Sequence, residues 1–131
     1  MTKYPQLGLR WKAAIIDSVI FATLLFSTSY FSYDLFPENL YLRILFIVLP
    51  TLSYEPLMIY FTGNSIGHKI YGIGVVHQNN NKKLNIIQCY IRYIVKVTLG
   101  FFSLIFMFLT QKRQAFHDLI TATLVVFSKE N

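Results

Sequence analysis

Two apolar stretches, residues 13–33 and 40–62, are each long enough as a helix to cross a hydrocarbon core of about 30 Å, and this constrains the fold more than any other feature. In lipid every backbone polar group needs an internal partner, so stretches of this length are predicted as transmembrane helices. Arg10, Trp11 and Lys12 anchor the start of the first, while Tyr30 and Tyr33 suit the headgroup level at its far end. The chain has 131 residues, of which 54% are hydrophobic and 14% charged, whereas soluble domains carry about a quarter charged residues. That length leaves no room for a soluble core beside an anchor, so residues 1–131 are expected to form a single membrane domain. The first stretch follows a basic region as a signal peptide would. It nevertheless contains Asp17, runs to about 20 residues and ends in no small-residue cleavage site, so a retained helix is expected.

The segments between and after these stretches set the topology. Residues 34–39 contain Pro37 and two acids but no base, which predicts a tight turn on the outer side. Pro50 and Pro56 predict a kinked second helix. The connector 63–85 carries Lys69, Lys82 and Lys83 and is placed in the cytoplasm, with a short strand at 73–76, a turn at 79–81 and a partner strand beginning at Leu84. Asn85, just before the third region, 86–110, forms one polar stripe with Gln88, Arg92 and Lys96 within it, which suits a helix on the membrane surface. Residues 98–110 are apolar but too short to span. A full span would put the basic tail 111–131 outside, against the positive-inside bias, so a re-entrant hairpin is expected and a cysteine at position 130 should resist labelling from outside. A further short strand is expected at 124–127. The fold class is therefore an all-α membrane protein with two full spans, an amphipathic or re-entrant third region and short cytoplasmic β segments.

Composition narrows the function. Twelve Lys and Arg against six Asp and Glu give a net charge of +6, which in this setting reports topology and not nucleic-acid binding. One cysteine, Cys89, forms no internal disulfide, and the three histidines lack zinc spacing, so neither metal nor other cofactor is expected. The loop at 63–69 is one residue short of a phosphate-binding loop, which excludes nucleotide binding, and its Gly63 and Gly67 read as a turn. No nucleophile, base and orienting acid occur as a set, so the chain is not expected to be an enzyme.

Charges inside the spans are the candidate functional groups, because each costs about 2.5 to 3.5 kcal/mol to insert and needs a partner. Asp17 and Glu55 lie at similar depth, roughly 7 to 11 Å from the cytoplasmic boundary at helical rise. Arg10 is two turns before Asp17 on the same face, which predicts contact between them. Asp118, following His117, is a third carboxylate able to reach that corner. Such a cluster serves either as an ion-pair network that locks the helices or as a site for Na+ or H+, where two carboxylates at one depth can share a proton. His117 is either a proton relay or a solvated interfacial histidine.

The order Arg10, Asp17, then the segment Gly67-His68-Lys69-Ile70-Tyr71-Gly72-Ile73-Gly74-Val75-Val76, then His117-Asp118 before Thr121 and Val125-Val126, resembles the RDD family of bacterial membrane proteins. That family is named for one arginine and two aspartates, which match Arg10, Asp17 and Asp118. The resemblance runs from about Leu7 to Val126, with His68 and Gly74 standing where the family more often has basic residues. It implies a multi-pass protein of the bacterial inner membrane and, for some members, transport resembling sodium/proton exchange. A transporter of this size would form a homo-oligomer or join other membrane subunits. The alternative is a non-catalytic scaffold or accessory subunit whose network is structural.

Overall fold

The computed structural model describes residues 4–100 and 102–128; position 130 and Phe101 of the third region lie outside the described residues. Helix α1 (Leu7–Leu35) and helix α2 (Leu40–Thr62) are long and apolar enough to cross a membrane. Helix α1 starts six residues before the apolar stretch, because backbone hydrogen bonding continues through the anchoring residues that hydropathy alone leaves out. Asn39 caps α2, accepting from Leu42 N–H, and α2 runs through both prolines to Gly63, whose φ of 82° ends it in the left-handed region. Most of the apolar surface of both helices is exposed, Phe26 at 75% and Tyr41 at 85%, which fits a lipid bilayer.

After α2 come helix α3 (Ile66–Ile70) and strand β1 (Ile73–His77). Helix α4 (Ile86–Leu99) follows, with Asn85 and Gln88 forming a reciprocal cap at its start. It is followed by helix α5 (Phe102–Ile105), a short 3-10 turn (Phe106–Phe108), helix α6 (Phe116–Ile120) and strand β2 (Thr123–Phe127). The third region is a broken helix, bent by 102° between α4 and α5–turn. Its start is tied to the tail by Gln88, which donates to the Thr121 carbonyl, and Ser103 of α5 comes back to His117 of α6. Both arms of the bend thus contact the tail, in a geometry that suits either a broken span or the expected re-entrant hairpin.

At that same end β1 pairs antiparallel with β2, Val75 opposite Val125. The strand expected at Leu84 is not the partner. Leu84 instead joins a small core with Ala13, Ile59, Ile73, Val75, Cys89 and Val125, which draws the two spans, α4 and both strands together. The sequence offered two apolar candidates for pairing with β1, and the near one lost because burying Leu84 as a core side chain leaves the longer β-branched run free for the ladder. Part of the polar stripe of α4 turns inward, against expectation: Arg92 is 1% exposed and half-buried Lys96 pairs with Glu55, while Asn85 stays exposed. Where a helix sits among lipid, its polar stripe turns toward protein partners and its apolar face outward, the reverse of a soluble amphipathic helix.

Candidate functional site

The buried charges meet where α1, α2, α3, α4 and α6 converge. Asp118, wholly buried at the start of α6, accepts from Arg10 at 2.5 Å, Arg92 Nε at 3.1 Å and the Ala115 N–H at 3.0 Å. Arg10 also donates to the Arg113 carbonyl at 3.0 Å. The expected contact of Arg10 with Asp17 is thus replaced by one across more than a hundred residues of chain. Arg10 is long enough to reach α6, and Asp17 has other donors. The two arginines therefore form a clasp joining the first span, the bent third region and the tail.

Asp17 lies one layer away and is held by neutral donors. Ser65 Oγ donates to its Oδ2 at 2.6 Å, the Gly67 N–H to its Oδ1 at 2.9 Å and Tyr54 Oη to Oδ1 at 3.4 Å. Ser65 Oγ is also 2.6 Å from His68 Nδ1. One hydroxyl carries one proton, so two arrangements are consistent. Either His68 Nδ1–H donates to Ser65 while Ser65 donates to ionised Asp17, or a protonated Asp17 donates to Ser65 while Ser65 donates to His68. Glu55 is held differently, accepting from Lys96 Nζ at 2.6 and 2.8 Å, with Arg92 Nη1 at 3.7 Å. That Nη1 is buried and has no hydrogen-bond partner among the described residues.

Among these groups the bases Arg10, Arg92 and Lys96 balance the acids Asp17, Glu55 and Asp118. The histidines add no charge: burial first, then nearby Arg92, Lys96 and Arg10, hold His68 well below its ordinary value of 6.5. Burial likewise lowers His117, outweighing the attraction of Asp118. His117 is not solvated; it is 2% exposed, with Ser103 Oγ 2.6 Å from Nδ1 and accepting from the His117 N–H. Burial alone would raise Asp118, but Arg10 and Arg92 hold it well below the usual carboxylate range.

A pH dependence follows. A histidine lowered in the folded state binds fewer protons there than in the unfolded chain, so its stabilisation is complete above 6.5 and declines as the pH falls below it. Asp118 acts in the same direction at lower pH. Thermal unfolding in detergent should therefore show falling stability from about pH 6.5 downward, and the double substitution His68→Gln with His117→Gln should flatten that slope above pH 5.

A cavity of 230 Å³ lies beside Asp17 and Glu55, between α1 and α4, with Lys96 and His117 also among its lining residues. Sequence reasoning named Arg10, Asp17, Glu55, His117 and Asp118, and all five lie in this region. It missed Ser65, His68, Arg92, Lys96 and Tyr54. The signal for two of them was present: Arg92 and Lys96 on an otherwise apolar helix require buried partners as much as Asp17 does.

No curated protein and no solved structure matches the chain. The sequence model of the RDD family matches residues 4–122, almost the whole chain, with the arginine and both aspartates of the motif inside the cluster just described. The chain belongs to the RDD family of membrane proteins.

Proposed function

We propose that this protein is a non-enzymatic, multi-pass protein of the bacterial inner membrane that exchanges a cation for a proton at Asp17, with the Arg10, Arg92 and Asp118 clasp as its frame. The observation carrying this reading is the Ser65 hydroxyl, 2.6 Å from both Asp17 Oδ2 and His68 Nδ1. A proton arriving at His68 Nε2 lets the Nδ1 proton pass to Ser65 and the Ser65 proton pass to Asp17, so Asp17 is protonated by reversing two hydrogen bonds without moving heavy atoms, with His68 neutral before and after. Asp17 is the carboxylate of the three that has no Lys or Arg within ion-pair distance among the described residues, and it lines the cavity. A proton and a monovalent cation on Asp17 leave the cluster with the same total charge, which is the electrostatic condition for one to replace the other. Because the site lies toward one end of two spans, the path to the other side is assigned to a homo-oligomer or to other membrane subunits. The N-terminus, the connector and the tail are assigned to the cytoplasm, following the positive charge.

In proteoliposomes with an imposed pH gradient, wild-type protein should support cation-coupled proton movement, and Asp17→Asn should reduce it to the level of empty vesicles. The asparagine can still accept from Gly67, so folding should persist. Undiminished flux in Asp17→Asn would remove Asp17 from the mechanism. A second reading, a scaffold or accessory subunit, is favoured by the balance of three bases and three acids. It predicts no flux above empty vesicles from the folded wild type.

A further inference from the structure

Resting on that reading of Asp17, we infer that the occupant of the cavity is an organic ammonium ion with an apolar body. A bare inorganic cation needs about six oxygen ligands in a small shell, whereas here the oxygens of Asp17 and Glu55 are largely taken by Ser65, Gly67 and Lys96. The space is also many times larger than an ion, at 230 Å³. An ammonium head has different needs: one carboxylate in reach and faces of aromatic rings, which attract cations through their quadrupoles and more strongly where water is excluded.

The cavity is lined by both kinds of group, the carboxylates Asp17 and Glu55 and the aromatic rings Phe21, Tyr54 and Tyr93. Of the two carboxylates lining it, Glu55 is already held by Lys96, which leaves Asp17 as the single carboxylate to face one positive charge. The apolar body has a place as well. Val97, Gly100 and Leu104 line this cavity and also a neighbouring groove of 500 Å³ walled by Trp11, Phe102 and Ile105. The two spaces thus adjoin where α4 meets α5. Ser18 of the first span and Val97, both exposed, line the cavity, so an amphipathic cation concentrated in the bilayer would enter past them.

The probe is radiolabelled 2-phenylethylammonium, measured against protein in nanodiscs at neutral pH, with 2-phenylethanol as its uncharged analogue. Saturable binding is expected that unlabelled amine displaces and that 2-phenylethanol and sodium chloride, at equal concentration, do not. Asp17→Asn should weaken it about tenfold or more, the scale of losing the charge partner of a partly desolvated cation. Ser18→Trp, an exposed position, should block that entry without touching the cluster and abolish binding while the protein stays folded. Displacement by the alcohol as readily as by the amine would show mere apolar partition. Displacement by sodium would show an inorganic site, and wild-type binding in Ser18→Trp would place the amine elsewhere; each overturns the inference. If Asp17-dependent proton-coupled sodium flux is found without amine binding, the ligand class falls and the exchange reading stands. If flux ignores Asp17, the exchange reading falls first.

Discussion

Arg10→Ala should destabilise the protein by about 3 to 5 kcal/mol, enough to leave little of it folded in the membrane, because it removes one partner of a buried pair and leaves the other charged. Asp118 would keep Arg92, yet the Arg10 guanidinium also holds the Arg113 carbonyl, so two ties between α1 and the tail go together. The compensating change is defined by the observed pairing. Arg10→Gln with Asp118→Asn removes one positive and one negative charge from the same contact and should recover more than half of the loss. Arg10→Gln with Asp17→Asn balances the same total charge but leaves Asp118 short of a donor, and should recover little. Urea or thermal unfolding of the three variants in detergent, beside membrane expression levels, checks this. Equal rescue by the two doubles would show that only net charge matters and that the clasp geometry is irrelevant.

The reason the sequence misassigned Arg10 lies in what helical periodicity can and cannot say. Residues 10 and 17 share a face, and that much was legible and true of α1. Which neighbour each side chain meets depends on elements far along the chain, and α6 arrives beside Arg10 only because β2 pairs with β1 and α5 returns through Ser103. The two spans and the acidic turn were legible because lipid imposes a length and composition that almost any membrane helix must meet. The orientation of α4 was not, since a polar stripe marks a face without saying whether water or protein lies against it. Here the Glu55 carboxylate on α2 decides it, by offering Lys96 and Arg92 a buried partner. His68 was passed over because one histidine in a loop carries no pattern; its role emerges only from Ser65, three residues earlier, capping α3 with the same oxygen that holds Asp17.

The close approach of α3 to α1 makes Gly67→Ala the second substitution with a large expected effect. Gly67 lies against α1 so tightly that a Cβ built there collides with the Ala13 carbonyl oxygen and comes within 2.9 Å of the Asp17 carboxylate. The obstacle is helix backbone, which cannot rotate aside as a flexible side chain would, so α3 must withdraw. Withdrawal breaks the Gly67 N–H bond to Asp17 and lengthens that of Ser65, the two closest donors to a buried carboxylate. Overpacking typically costs about 1 to 3 kcal/mol, and each hydrogen bond lost from a charged group about 1.5 to 3 kcal/mol more. A total near 4 kcal/mol is therefore expected for a change of one methyl group. Gly63→Ala provides the comparison: nothing lies within 4 Å of its Cβ, but its φ of 82° strains any other residue, so a smaller loss near 1 kcal/mol is expected. Combining Gly67→Ala with Asp17→Asn separates the two parts of the Gly67 effect. If lost solvation of the charge dominates, the double variant should be more stable than Gly67→Ala alone, because a neutral amide suffers less from losing its donors. If steric displacement of α3 dominates, the second substitution should bring no recovery, and the packing of α1 against α3 is then the element that fixes this end of the molecule.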